Sequence, residues 1–459
     1  MDHYDAIIIG AGQGGGPIAG KLAQAGQKVA LVERKHVGGT CVNEGCTPTK
    51  TMVASARVAY LARRAADYGV QVGDISVDMG VVRQRKRDIV EMFRSGSESG
   101  ITSKDGLDLI MGEASFTGDK TLNVTLNEGG SRTLSADTII INTGQRPNIP
   151  PIDGLDSVDY LDSTSIMELG EVPDKLVVIG GGYIGLEFGQ MFRRFGAEVT
   201  LLQRGASVAK HEDDDISNTI VDIFRDDGIE VVLHADATSV RQDDGEIVLS
   251  VDVQGEVREV RGSHLLVATG RTPNTDALNL SSTSIEVDRR GYIVTSADLR
   301  TNVPGVYAIG DVRGEAAFTH ISYDDARLLE KILIDGQQAT TTGRLVPYTM
   351  FIDPQLARVG LSEQEARERG LPIRVAKMPM TSAARAIEID ETRGLMKAIV
   401  HADTERILGC VIFGHEGGEV MSVVQVAMMA NLPYTALRDG VFAHPTLTES
   451  LNNLFATLD

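Results

Sequence analysis

The chain has only three cysteines, Cys41, Cys46 and Cys410, among 459 residues. That is too few for a structural disulfide framework, and it fits a reducing compartment. Basic residues are also scarce: 44 Lys+Arg stand against 64 Asp+Glu, a net charge of −20, and no basic run stands out. Nucleic acid is therefore not an expected partner. There is no long apolar span, and the N-terminus enters a strand pattern at once, Tyr4-Asp5-Ala6-Ile7-Ile8-Ile9, with no basic segment leading into an apolar run. A soluble, unexported, cytoplasmic protein without membrane contact is the expectation. No cluster of metal-ligand residues is visible, so no metal is expected.

What is abundant is apolar residue, 42%, and glycine, 49 positions. This is the composition of a globular, turn-rich α/β protein, and the length suggests about three domains on a prior of roughly 150 residues each.

Two of the three cysteines lie five apart in Gly38-Gly39-Thr40-Cys41-Val42-Asn43-Glu44-Gly45-Cys46-Thr47-Pro48-Thr49-Lys50, which the pattern places on a helix. Five residues of regular helix rise about 7.5 Å, more than the roughly 4.4 to 6.8 Å between Cα atoms that a disulfide tolerates. A Cys41–Cys46 bond would distort the helix and be easily reduced, which suits a redox pair. The glycines before Thr40 allow close approach of a planar or phosphorylated ligand, and Pro48 removes a donor where the helix starts again. The alternatives are two buried thiols or half of a zinc site, and four zinc ligands would need more cysteine or histidine than this segment holds.

Ile7-Ile8-Ile9 runs into Gly10-Ala11-Gly12-Gln13-Gly14-Gly15, followed by a helix over Pro17 to Ala25 and a strand Val29 to Val32 ending on Glu33. Strand, GxGxxG, helix and an acid about 20 residues on form the dinucleotide fingerprint, with Gly10, Gly12 and Gly15 at the pyrophosphate and Glu33 on a ribose hydroxyl. A second fingerprint, Gly180-Gly181-Gly182-Tyr183-Ile184-Gly185, lies between a strand Lys175 to Ile179 and a helix Leu186 to Phe195. Two such folds imply two dinucleotides. The second one's next strand, Val199 to Leu202, ends on Gln203-Arg204 instead of an acid. With Arg204 and Lys210 placed to meet a 2′-phosphate, this pocket favours NADPH over NADH, although NADH stays open as a donor. The alternative is that both are solvated loop charges.

Between and beyond these lie helices over Met52 to Tyr68 and Ser76 to Thr102, strands at Leu107 to Met111, Thr121 to Leu126 and Asp137 to Asn142, and a meander over Asp226 to Ser263. Thr143-Gly144 and Thr269-Gly270 end the two repeats in the same way. From about Pro347 the pattern changes to strands at Gln355 to Val359, Leu395 to Val400 and Ile407 to Phe413, with helices at Gly417 to Ala430 and Pro433 to Asp439. Cys410 falls in an apolar strand and reads as inert packing.

The string Gly38 to Lys50 resembles the active-site motif of the class I pyridine nucleotide-disulfide oxidoreductases: glutathione reductase, lipoamide dehydrogenase and mercuric reductase. The likeness extends over nearly the whole chain. It implies two Rossmann-like dinucleotide-binding domains plus a C-terminal α+β dimerisation domain, with an FAD-binding part at 1–146, an NAD(P)H-binding domain at 147–270, a return to the FAD region at 271–342 and the dimerisation domain at 343–459. Thr301 to Asp311 resembles the family's second flavin motif, in which Asp311 holds the ribityl chain. Thr40, Ala114, Thr143 and Gly144 fall at FAD positions, and Gly270 falls on the NADPH side.

The resemblance further implies that Tyr183 covers the nicotinamide site, that Lys50 and Glu187 form an ion pair beside the flavin, and that Cys46 faces the flavin while Cys41, the more exposed, attacks substrate. His444 and Glu449, in Phe442 to Glu449, match the family's acid-base motif, in which the histidine reaches the partner protomer's cysteines. The active site would then be shared across a homodimer. His320 and Arg327 stand either at the substrate or in helix capping and surface pairing. Glu44 departs from the family, and its charge would either raise the neighbouring thiols' pKa or sit toward solvent. The chain carries neither a C-terminal cysteine pair nor a redox tail, so the expected activity is NADPH-dependent reduction of a small disulfide or thiol-reactive oxidant in cell redox homeostasis. The alternatives are reduction of a metal ion or quinone, and a lipoamide dehydrogenase-type component of a larger complex.

Overall fold

A computed structural model describes residues 1–458. Its first third runs β1 (Asp2–Ile9), α1 (Gly15–Gln24), β2 (Val29–Glu33), α2 (Gly39–Asn43), α3 (Cys46–Arg63), α4 (Met79–Thr102), β3 (Leu107–Gly118), β4 (Thr121–Leu126), β5 (Ser131–Ile141) and β6 (Gln145–Pro147). The middle follows with β7 (Lys175–Ile179), α5 (Tyr183–Phe195), β8 (Glu198–Gln203), α6 (Asp214–Asp226), β9 (Glu230–Leu233), β10 (Ala235–Asp243), β11 (Glu246–Val253), β12 (Glu256–Gly262), β13 (His264–Val267), β14 (Arg271–Pro273), β15 (Val306–Ala308) and α7 (Thr319–Leu333). The last third holds β16 (Tyr348–Met350), β17 (Gln355–Gly360), α8 (Glu363–Glu368), β18 (Ile373–Pro379), α9 (Ala384–Glu388), β19 (Leu395–His401), β20 (Ile407–Gly414), α10 (Gly417–Met429), α11 (Thr435–Arg438) and α12 (Ser450–Ala456).

The chain packs as two compact units: residues 1–52, 80–148 and 270–344 form the first, and 53–79, 149–269 and 345–459 the second. In the first, β3, β2, β1, β5 and β15 lie side by side as a parallel sheet, and β4 pairs antiparallel with the far ends of β3 and β5. Strands of a parallel sheet are covered on both faces, so they read as continuous apolar runs. Ile7 and Ile9 pack on one face with Ile139 and Ile141, while Ala6 and Ile8 pack on the other with Leu31 and Ile140. Helix α1 lays Ile18, Ala19, Leu22 and Ala23 on that second face.

The second unit repeats the plan. Strands β9, β8, β7 and β13 are adjacent and parallel, with β10, β11 and β12 as a separate antiparallel meander. A five-stranded antiparallel sheet in the order β16, β17, β20, β19, β18 completes it, with α10 against β17 and β20. Cys410 is buried in this sheet's core, where desolvation pushes its thiol up to about 12, as befits inert packing.

The structure departs from the sequence reading in several places. The stretch Asp226 to Ser263 is not wholly a meander, because Glu230–Leu233 joins the parallel sheet as its edge strand. The expected helix over Pro433 to Asp439 is only Thr435–Arg438, and β16, β18, α8, α9 and α12 were not anticipated. Residues 53–79 belong to the second unit, an excursion that the expected segment limits do not contain. Three arginines tie this segment to the rest of the unit: Arg57 pairs with Asp353 at 2.6 Å, Arg64 with Asp390, and Arg63 donates to the Arg194 carbonyl. Among the described residues, no helix is long and apolar enough to cross a membrane.

Candidate active site

The cysteine segment is docked on the first glycine turn. Gly38 N donates to the Ala11 carbonyl at 2.9 Å, and a Cβ on Gly39, at φ +61°, would stand 2.7 Å from Gly12 Cα. Only glycine permits that approach. The two cysteines do not share one regular helix. Cys41 lies in α2 and Cys46 opens α3, with the chain broken between them where Glu44 turns to φ −140° and Gly45 crowds the Thr40 carbonyl. The break removes the rise that separates helical residues, and the Cys41 and Cys46 thiols hydrogen-bond in the dithiol form.

Electrostatics at the pair are one-sided. The hydrogen bond with Cys46, burial, and the Cys46 charge all push the Cys41 thiol far up, against smaller lowering by Thr319 and Lys50. Two adjacent thiols cannot both ionise without strong repulsion, so the pair holds at most one negative charge at a time and gives up its second proton only to a base. Cys46 Sγ also lies 3.4 Å from Thr319 Oγ1 at the start of α7. Cys46 is exposed and Cys41 half-buried. Glu44 sits toward solvent, where Lys35 Nζ pairs with its Oε1 at 2.5 Å and compensates its charge.

Gly10 has φ +103°, and a Cβ there would stand 2.5 Å from the Asn142 carbonyl; one on Gly15 would stand 2.0 Å from the Gly10 carbonyl. Buried Glu33 closes this turn by accepting from Ala11 N at 2.9 Å and Lys35 N at 2.8 Å. Thr143 Oγ1 is buried without a hydrogen-bond partner among the described residues. The residues therefore fit a dinucleotide: a backbone cradle, an acid for a ribose, and a hydroxyl that a polar ligand atom would satisfy. Ala114 is buried on β3, Thr40 is half-buried beside Cys41, and Lys50 is half-buried in α3.

At the second flavin motif, Asp311 is half-buried and desolvation raises its carboxyl, with Arg271 opposing. Its turn is fixed by a residue that the sequence reading passed over. Asp325, fully buried, accepts from Gly310 N at 2.9 Å and pairs with Arg313 at 3.1 Å and Arg344 at 2.6 Å. An acid inside a helix among apolar positions, with arginines before and after it, was the available signal. Gly144 and Gly270, both at positive φ, come together where β6 pairs with β14: Asn148 N donates to the Gly270 carbonyl at 2.9 Å, and Asn274 N to Gly144 at 3.0 Å.

The second turn repeats the first. Gly180 has φ +117°, with the Ala268 carbonyl 2.3 Å from its would-be Cβ, and one on Gly185 would lie 1.9 Å from the Gly180 carbonyl. Gly182 caps α5. Gln203 Oε1 accepts from Gly181 N at 3.1 Å while its Nε2 donates to the Ser207 carbonyl at 2.9 Å, and Arg204 and Lys210 are exposed on the loop beyond. This cradle also fits a dinucleotide. Tyr183 stacks on Tyr348, centroids 5.6 Å apart, and Glu187 accepts from Phe351 N at 2.8 Å.

His444 and Glu449 meet: Nδ1 lies 2.8 Å and 3.1 Å from the two carboxylate oxygens, with the histidine exposed. The contact orients the imidazole through Nδ1. His320 stacks on Phe318, and Arg327 pairs with Asp324 at 3.0 Å one helical turn away. Among the described residues, no three His, Cys, Asp or Glu side chains gather as a metal site.

Residues 4–326 match the family described as pyridine nucleotide-disulphide oxidoreductase, and residues 346–455 match its dimerisation domain. Over 460 positions the chain is 37% identical to the probable pyridine nucleotide-disulfide oxidoreductase RclA of Escherichia coli (strain K12), with 99% of each covered. It is 34% identical to a mercuric reductase of Staphylococcus aureus, covering 99% of this chain and 82% of that one. A solved structure, the Cu(II) complex of the HOCl-induced flavoprotein disulfide reductase RclA from Escherichia coli, superposes with a TM-score of 0.91 at 36% identity over 100% of both chains.

Proposed function

The chain belongs to the pyridine nucleotide-disulphide oxidoreductase family, and from that premise we propose that it spends NADPH to reduce a small disulfide, or another thiol-reactive oxidant, at Cys41 and Cys46. As a member it is a flavoprotein disulfide reductase that uses FAD and a nicotinamide nucleotide and forms a homodimer. The observation that carries the proposal is the contact of the two thiols at the break between α2 and α3.

FAD, when bound, relays two electrons from the nicotinamide to the cysteine pair. Gly10, Gly12, Gly15, Glu33, Thr143 and Asp311 would hold it, and Gly180, Gly182 and Gly185 would hold the nicotinamide nucleotide, with Tyr183 covering its site. Arg204 and Lys210 select the 2′-phosphate, since Gln203 offers no carboxylate to repel it. In the dithiol state one thiolate attacks a sulfur of the substrate disulfide and expels the first thiol as thiolate. The second cysteine then attacks the mixed disulfide, releasing the other thiol and closing the Cys41–Cys46 bond. The resemblance gives the first attack to Cys41. Its strongly held proton needs a base, and His444, oriented by Glu449 and supplied across the dimer, takes that role and returns the proton to the leaving thiolate. A dithiol recharged by NADPH suits the cytoplasm.

The test is turnover of the holoenzyme with NADPH against a panel of low-molecular-weight disulfides, Cu(II) and a quinone, in the wild type, Cys41→Ser and Cys46→Ser. Disulfide reduction should fall by about three orders of magnitude or more in either variant. Undiminished disulfide reduction in both would overturn the proposal, and quinone turnover alone would place the chemistry on the flavin.

A further inference from the structure

One face of α5 is tied along its length to the segment 348–353. Tyr183, Glu187, Gln190 and Arg194 are spaced four, three and four apart, which aligns them on one side of the helix. Tyr183 stacks on Tyr348 with an interplanar angle of 27°. Glu187 accepts from Phe351 N, Gln190 accepts from Asp353 N at 2.7 Å and donates to its carbonyl at 2.9 Å, and Arg194 pairs with the Asp353 carboxylate. The last three contacts bind backbone or a buried ion pair and hold the segment in place. The first holds an aromatic ring.

Tyr348 is itself firmly anchored. Its hydroxyl donates to Glu212 Oε1, and Arg358 Nη1 lies 3.7 Å from the other carboxylate oxygen and 3.4 Å from the hydroxyl. Glu212 and Arg358 are both buried; Arg358 also donates to the His211 carbonyl and pairs with Glu365 in α8. The Tyr183 and Tyr348 hydroxyls are hydrogen-bonded, and burial pushes the Tyr183 phenol up to about 12, so both rings stay neutral at working pH. One tyrosine is thus fixed by buried charge, and the other leans on it from the first turn of α5, directly after the glycine cradle.

We propose that Tyr348, anchored on Glu212 and Arg358, is a positioning residue that holds the Tyr183 ring at rest and so sets how readily a nicotinamide nucleotide gains its site. This rests on the reading of Tyr183 as the cover of that site. A ring that must leave a stack before ligand can bind lowers apparent affinity by the fraction of molecules in which it has left. Breaking the stack therefore tightens binding. For an aromatic pair the expected gain is roughly threefold to tenfold.

The experiment measures the NADP⁺ dissociation constant by titration calorimetry on FAD-loaded protein, together with KM and kcat for NADPH. The proteins are the wild type, Tyr348→Leu, Tyr348→Phe, Tyr183→Ala and the double variant Tyr183→Ala/Tyr348→Leu. Tyr348→Leu should bind NADP⁺ roughly three to ten times more tightly and lower the NADPH KM in parallel, with kcat within about twofold. Tyr348→Phe keeps the ring but loses the hydroxyl's bonds to Glu212 and Arg358, and should fall between the wild type and Tyr348→Leu. In the Tyr183→Ala background, Tyr348→Leu should add nothing. Unchanged or weaker NADP⁺ binding in Tyr348→Leu, or the same change without Tyr183, overturns the positioning role; should Tyr348→Leu not fold, wild-type affinity in Glu212→Leu does so. If Tyr183→Ala alone binds NADP⁺ as the wild type does, the reading of Tyr183 as a cover is what fails.

Discussion

In both glycine-rich turns a carbonyl oxygen occupies the place of a side chain: Asn142 and Ala268 face Gly10 and Gly180, and the Gly10 and Gly180 carbonyls face Gly15 and Gly185. The flanking strands are also ordered alike, β3-β2-β1-β5 and β9-β8-β7-β13. The turns differ in what closes them. Glu33 accepts from two backbone amides, whereas Gln203 accepts from one and donates to the Ser207 carbonyl. Backbone crowding dictates the shared glycines, and on the function proposed above the ligand's ribose and phosphate would dictate the residue at the end of the second strand. The comparison separates what a dinucleotide fold needs from what tells one dinucleotide from another.

The largest effect should come from filling each cradle in turn. Gly15→Ala and Gly185→Ala each put a carbon about 2 Å from a carbonyl oxygen, and overpacking of roughly 3 kcal/mol corresponds to about a hundredfold in affinity. Gly15→Ala should purify with depleted flavin absorbance. Gly185→Ala should keep its flavin and lose NADP⁺ affinity in calorimetry. Loss of both ligands in both variants would show that the two turns are not independent.

Comparable in size, but read in stability instead of affinity, is the ionic support of each repeat. In the first unit it is Asp325 between Arg313 and Arg344; in the second it is buried Lys397 among Asp213 at 2.9 Å, Asp215 at 3.1 Å and Glu363 at 2.8 Å. Removing the cation leaves carboxylates uncompensated, so Lys397→Met should lower stability by roughly 3 to 5 kcal/mol in urea unfolding. Against burial, which acts to raise them, Asp213 and Asp215 are held below the usual carboxylate range by Lys397, by Lys377 and by the amides of Gln364 and Glu363; Glu363 is held down first by Lys397. A depressed folded pKa means that the unfolded chain binds more protons, so this stability is present above about pH 4 and is lost as pH falls below it. Lys397→Met should show a shallower acid loss, and an unchanged profile would count against the cluster as its source.

The smallest effect tests the residue that distinguishes the turns. If Arg204 meets a 2′-phosphate, Arg204→Ala should lower the NADPH-to-NADH ratio of kcat/KM by about tenfold, the worth of one charge-assisted hydrogen bond. An unchanged ratio would leave Arg204 as a solvated loop charge.

The glycine turns were legible because the strand, the glycines and the closing residue lie within one short stretch, although the carbonyls that crowd Gly10 and Gly180 come from Asn142 and Ala268, far along the chain. His444 with Glu449 was legible through the family's motif, five residues apart and in contact. Legibility failed where distant segments decide. The break at Glu44 in the helix expected through both cysteines is a local exception, where the backbone turns to φ −140°. The edge strand Glu230–Leu233 was folded into a meander in the reading because a short apolar run does not say which sheet it joins. Asp325, Tyr348 and Lys397 drew no attention because each takes its meaning from partners remote in the chain.

The sequence by itself determined the two dinucleotide repeats and the close spacing of the cysteine pair, since each follows largely from demands among neighbouring residues, while the ending with His444 and Glu449 was singled out by its resemblance to the family's motif. Tertiary structure alone decided that Glu44 is compensated by Lys35, that residues 53–79 join the second unit, and that Tyr183 rests on a tyrosine held by buried Glu212 and Arg358. Those are matters of burial and charge pairing, and both depend on which surfaces the folded chain takes out of water.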